Sequence, residues 1–150
     1  MREQFNEALK ASVKEQNKLR TSTLRLIIAA VKDRDISARS ADNAEGVGDD
    51  EILDILSRMV KQRQESATTY EVAGRAELAA QERAEIEVIE EYLPRRLNDE
   101  ETQAAIEDAM TESGAQSLKD MGRLMGLLKS KYAGQMDFGK AGEIAKKRLG

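Results

Sequence analysis

The side chains best suited to engage a ligand are the cations near the C-terminal end. Between residues 117 and 150 stand eight bases, Lys119, Arg123, Lys129, Lys131, Lys140, Lys146, Lys147 and Arg148, against three acids, Asp120, Asp137 and Glu143. Cations in that density suit RNA phosphates, although lysines near helix C-termini also complement the helix dipole with no ligand present. An acidic belt precedes them: from 76 to 112, twelve acids accompany three bases, Arg83, Arg95 and Arg96. Such a belt would discourage wrong docking of the basic end. Tyr132 and Phe138 are the aromatic residues of this end, too few for a stacking platform. Any RNA contact there reads backbone and shape rather than bases.

The most distinctive string is Lys119-Asp120-Met121-Gly122-Arg123-Leu124-Met125-Gly126. Gly122 and Gly126 lie one helical turn apart and form a face that another backbone can approach closely. That backbone could be a partner helix, an RNA strand or a neighbouring helix of a small core with methionines filling its gaps. The candidate RNA- or partner-binding residues are therefore Lys119, Gly122, Arg123, Gly126, Lys129, Lys131, Lys140, Lys146 and Lys147. A second charged group, Lys61, Arg63 and Arg75 opposite Glu82 and Glu85, reads as a structural ion-pair lattice across a helical hairpin.

Catalytic chemistry has little to work with. The chain contains no cysteine and no histidine. That removes thiolate nucleophiles and metal sites, the commonest general base, and the usual partner of a serine nucleophile. The glutamates between 77 and 91 are too numerous and too solvated to form a tuned acid–base pair. Gly46-Val47-Gly48 is too short and too acidic in its surroundings to cradle phosphate. No catalytic residue, metal or cofactor is expected.

These side chains need helices to position them. Alanine, leucine, glutamate, lysine, arginine, glutamine and methionine dominate, with aromatics at 3% and one proline, so the fold class is all-α. Helical spacing predicts a first helix over 2–16, with Phe5, Leu9 and Val13 inward, and a second over 18–40, with Leu19, Leu24, Ile27, Ile28 and Val31. Residues 41–50 read as a mobile loop, and Asp49 or Asp50 caps a third helix reaching about 73. Its inward positions are Ile52, Leu56, Val60, Ala67 and Tyr70. Gly74 turns the chain into a fourth helix over 76–92, with Leu78, Ile86, Ile89 and Leu93 inward, and Pro94 ends it.

Pro94 also marks the expected domain boundary, with a four-helix N-terminal bundle over 1–93 and a compact three-helix module over 94–150. Asn98 with Glu101 forms a capping box for the fifth helix, which stops at Gly114. Ser117 caps the sixth, carrying Leu118, Met121, Leu124, Met125 and Leu128, and Asp137 caps the seventh, carrying Ala141, Ile144, Ala145 and Leu149. The opening residues lack the apolar core of a signal peptide, and the longest apolar run, Leu26 to Val31, is too short to span a membrane. A cytoplasmic protein with no membrane contact is the expectation, and the net charge of −4 disfavours indiscriminate nucleic-acid binding.

Taken together and in order, several strings resemble the GatB/YqeY family: LRLIIAAVKDRDI, VKQRQES with Tyr70, AGRAELAAQE, EYLP, and SLKDMGRLMG followed by Gly134 and Asp137. The resemblance implies a free-standing relative of the tail of the GatB subunit of glutamyl-/aspartyl-tRNA amidotransferase. In that enzyme the tail helps hold tRNA while chemistry occurs on other domains. Lys119, Gly122, Met125, Gly126, Gly134 and Asp137 match the shared string; Gln135 and Met136 depart from it, where relatives carry a basic and then a small residue. The implied function is a non-catalytic tRNA-recognition or accessory module, with tRNA or a protein of translation as partner. The alternatives are a protein-interaction adaptor, or a carbon–nitrogen ligase with glutamine as amido-N-donor acting within a complex.

Overall fold

The computed structural model describes residues 1–38 and 46–150. It contains α1 (Arg2–Lys14), α2 (Lys18–Ala38), α3 (Asp49–Val72), α4 (Ala76–Glu90), α5 (Asp99–Ser113), α6 (Met121–Lys131) and α7 (Phe138–Leu149), with one 3₁₀ turn, Leu118–Asp120, leading into α6. There is no strand among the described residues, and the fold is all-α. The chain divides into two compact units, Met1–Leu93 and Pro94–Gly150.

The N-terminal unit packs Phe5, Leu24, Ile27, Val31, Val47, Ile52, Ile55, Leu56, Met59, Val60, Ile86, Val88 and Ile89 into one apolar cluster. The rings of Phe5 and Tyr92 meet edge to face at a centroid distance of 5.0 Å, an arrangement that the opposite charge of aromatic face and edge favours. The inward face of α1 departs from expectation: Val13 is 49% exposed while Ser12 is buried. One residue is a 100° rotation on a helix. The Ser12 hydroxyl is accommodated by bonding to Leu9 O at 2.8 Å and to Thr21 Oγ1 at 2.9 Å. In α4 the same one-residue shift exposes Leu78 and buries Ala79, and Tyr70 of α3 is half-buried.

Helix ends follow local chemistry. Neither Asp49 nor Asp50 caps α3; Gly48 is the cap residue, and the two acids occupy the first turn, where they complement the positive helix end. The preceding backbone is held by Arg2, whose Nη2 donates to Asp35 Oδ1 and to Val47 O, both at 2.7 Å, while Val47 N–H donates to Asp35 Oδ1 at 2.8 Å. Gly46, at φ +86°, would place a Cβ 2.5 Å from Asp35 Oδ1, so this position requires glycine. The loop expected over 41–50 lies outside the described residues as far as 45. The fourth helix ends at Glu90 rather than Glu91 or Tyr92, since Tyr92 and Leu93 are drawn against the core.

The C-terminal unit is a three-helix module around Ala105, Ile106, Ala109, Leu124, Leu128, Met136, Ala141, Ala145 and Leu149. Asn98 and Glu101 cap α5 reciprocally, and Gly114 ends it at φ +70°. The Asp137 side chain accepts from Gly139 N–H and Lys140 N–H to start α7. The sixth helix differs from expectation at its start: Ser117 opens the 3₁₀ turn, where Asp120 Oδ2 accepts from Gln116 N–H at 2.9 Å, and Leu118 is exposed.

Candidate nucleic-acid interface

Charge is partitioned by helix within the C-terminal module. Helix α5 carries Asp99, Glu100, Glu101, Glu107, Asp108 and Glu112 and no base; α6 and α7 carry Arg123, Lys129, Lys131, Lys140, Lys146, Lys147 and Arg148 against one acid, Glu143. Two of these cations reach back to α5, Lys131 to Glu112 and Arg148 to Glu107. The carboxylate of Glu112 raises the pKa of the Lys131 ammonium. Arg123 is held by Asp120 Oδ1 at 3.2 Å. Hydrogen bonds, first of all from Gln116 N–H, lower the Asp120 carboxyl below its ordinary value.

Five lysines remain. Lys119, Lys129, Lys140, Lys146 and Lys147 are all exposed and stand in no ion pair among the described residues. Lys119 sits on the 3₁₀ turn, Lys129 late in α6, and Lys140, Lys146 and Lys147 at the two ends of α7. Tyr132 and Phe138 are half-buried against the module's apolar cluster, which ties up ring surface that stacking would need.

Among the described residues Gly122 and Gly126 do not pack against a neighbouring helix: apart from their chain neighbours and the backbone of their own helix, no atom lies within 4 Å of where a Cβ would stand at either position. With Leu124 and Leu128 turned into the core, residues two positions away point about 200° round the helix. The glycine contact inside the module is instead made by Gly142, whose Cβ position is 3.8 Å from Met125 Cε. The Gln135 carbonyl accepts from Leu97 N–H at 2.8 Å.

The second charged group lies on the α3–α4 hairpin of the N-terminal unit. Arg63 Nε donates to Glu85 Oε2 at 3.2 Å and Arg63 Nη1 to Met59 O at 3.2 Å. Arg75 and Glu82 stand in no ion pair among the described residues; Arg75 takes the N-cap position of α4. The pair that sequence reasoning missed is Arg83 with Glu71, through Nε at 2.9 Å and Nη2 at 2.5 Å. Lys61 is exposed on α3.

Another missed contact carries a pH dependence. Arg95 grips Glu101 through Nη1 at 3.0 Å and Nη2 at 2.6 Å, and Asn98 N–H adds a third bond at 3.2 Å. The Arg95 bond, foremost, holds the Glu101 carboxyl down to about 2 from 4.5. A carboxyl lowered on folding stabilises the fold above its unfolded value and loses that contribution as pH falls through its folded value. Acid titration of the full chain should therefore show stability falling more steeply between those two values than in a Glu101→Gln variant. Parallel curves would mean that the fork is absent in solution.

The family model described as Yqey-like protein matches residues 2–149. The chain belongs to the Yqey-like protein family. A curated relative of this Yqey-like chain is altered inheritance of mitochondria protein 41, mitochondrial, from Lachancea thermotolerans. It is 27% identical over 106 residues, 69% of the present chain and 54% of the relative. The chain thus spans about half the length of that mitochondrial relative. Among the described residues no helix is long and apolar enough to cross a membrane.

Proposed function

We propose that this Yqey-like chain is an accessory module that holds tRNA through the phosphates facing α6 and α7, with no bond-making chemistry of its own. The observation that carries the reading is the set of five exposed lysines, Lys119, Lys129, Lys140, Lys146 and Lys147, which stand in no ion pair among the described residues. Acids that could neutralise them are concentrated on α5, which takes up Lys131 and Arg148 instead. Lysine is a flexible point charge suited to phosphate oxygens whose positions vary with sequence. The open backbone at Gly122 and Gly126 lets a bulky phosphodiester chain come near Lys119 and Lys129 without a side chain in its way.

The test is tRNA binding by the full chain across a range of salt. With four of these lysines on phosphates, the logarithm of affinity should fall against the logarithm of salt with a slope of about −3, at about 0.7 to 0.9 per phosphate. Charge reversal of Lys129, Lys140, Lys146 and Lys147 together should weaken binding at least tenfold and flatten that slope. A wild-type chain that binds no tRNA at low salt, or whose affinity ignores salt, ends the proposal.

A further inference from the structure

The N-terminal unit as a whole is acidic, yet one stretch of it is strongly basic. Residues 8–32 contain Lys10, Lys14, Lys18, Arg20, Arg25 and Lys32 against a single acid, Glu15. Arg20 is committed inside the unit: its Nη1 donates to Glu91 Oε2 at 2.5 Å, and that bond is the main reason its guanidinium pKa is raised. The other five are exposed and stand in no ion pair among the described residues. Where α1 turns into α2, a shallow, largely open cleft of about 390 Å³ is lined by Val13, Gln16, Lys18, Thr21, Ser22 and Arg25.

Ordinary helix electrostatics does not account for two of these cations, Lys18 and Arg25. Lys14, in the last turn of α1, complements the negative end of that helix. Lys18 lies at the opposite kind of position. It starts α2, whose first turn holds no acid, and a positive charge there works against the helix dipole. Arg25 has no acid three or four residues away along the helix, the spacing at which a neutralising partner would sit. Both side chains line the same cleft, and neither contributes to the apolar cluster beneath.

We infer that this cleft is a second phosphate-binding site for RNA, with Lys18 and Arg25 as its principal contacts and Lys10, Lys14 and Lys32 extending the path. The inference rests on the reading that the chain binds tRNA, but uses a different unit and different residues. Arg25 offers a planar fork that matches two phosphate oxygens, and Lys18 adds a movable ammonium. Ser22 Oγ donates to Leu19 O at 3.1 Å, which leaves its lone pairs to accept from a ribose 2′-hydroxyl, a group that RNA has and DNA and lipid headgroups of the serine type lack. An anionic membrane is the competing polyanion, since Val13 and Leu26 are exposed nearby.

The experiment measures binding of the full chain to a defined tRNA transcript and, separately, to phosphatidylserine vesicles. It compares the wild type with Lys18→Glu/Arg25→Glu, with Lys18→Arg/Arg25→Lys, and with the quadruple reversal on α6 and α7. The expected result is at least a tenfold loss of tRNA affinity for Lys18→Glu/Arg25→Glu, with a salt slope reduced by about 1.5, while the charge-preserving exchange keeps both. Unchanged affinity and slope in that variant, with binding abolished by the reversal on α6 and α7, would overturn the inference and leave the proposed function standing. The opposite pattern would sink the proposed interface on α6 and α7 and retain this one. Vesicle binding that depends on Lys18 and Arg25, with no tRNA binding, would assign the cleft to lipid and overturn the inference. Since all the altered side chains are exposed, unchanged helical circular dichroism serves as the folding control.

Discussion

Replacing Phe5 with alanine should lower the stability of the chain by about 3–5 kcal/mol, the usual cost of truncating a fully buried phenylalanine. Phe5 is 1% exposed and is the one large apolar side chain that α1 buries completely, so it anchors that helix to the rest of its unit. The removed ring would leave a cavity that Tyr92 cannot fill, because its hydroxyl lies 3.4 Å from Arg20 Nη2 and is held near that guanidinium. Phe5→Leu gives the control: it keeps most of the volume and loses the edge-to-face contact, worth about 0.5–1.5 kcal/mol. Denaturant unfolding followed by helical circular dichroism measures both. A Phe5→Ala variant within about 1 kcal/mol of wild type would mean that α1 is not docked as described.

The second large effect concerns Arg63 and Glu85, whose side chains are each only 13% exposed. Two charges that far out of water are tolerable as a pair and costly when separated. Arg63→Ala should therefore cost about 2–4 kcal/mol, less than for a fully buried pair because some solvent reaches both groups. It also removes the bond to Met59 O. Replacing both residues together with leucine should restore most of the loss, since an apolar contact across α3 and α4 needs no counter-charge. Unfolding of Arg63→Leu, Glu85→Leu and the double leucine variant closes the cycle. Additive losses would show that the two side chains do not interact.

Where a helix starts and stops was legible wherever one residue type solves a local backbone problem. Asn98 with Glu101, Asp137, Gly74 and Gly114 are such cases, and each occupies its expected turn or cap. The inward face was less legible. Val13 and Leu78 are more apolar than their neighbours Ser12 and Ala79, yet tertiary packing sets the helix rotation, and a buried serine costs little once its hydroxyl is bonded. The stretch of cations on α6 and α7 was plain from counting, whereas their separation into paired and unpaired groups required coordinates. Glu112 and Glu107 are 19 and 41 positions from the cations they neutralise, distances at which sequence spacing carries no contact information. The basic run from Lys10 to Lys32 was equally countable; the acidity of the unit around it dilutes it in any average taken over the whole domain.

The α3–α4 hairpin has an uneven interior. Its inner turns contribute Ile52, Ile55, Leu56, Met59, Val60, Ile86, Val88 and Ile89 to the apolar cluster, whereas from 61 to 85 the buried apolar side chains are Ala67 and Ala79. At about 1.5 Å per residue, α3 is about 36 Å long, so its outer half is a two-helix lever held by small methyl contacts and by two ion pairs, Arg63 with Glu85 near its base and Glu71 with Arg83 further out. Such a lever bends and frays before its root does, because opening it exposes little oil-like surface. Amide hydrogen exchange should therefore be slower between Ile52 and Val60 than toward Val72 along one unbroken helix, so that whatever grips the tip would feel a compliant spring rather than a fixed post.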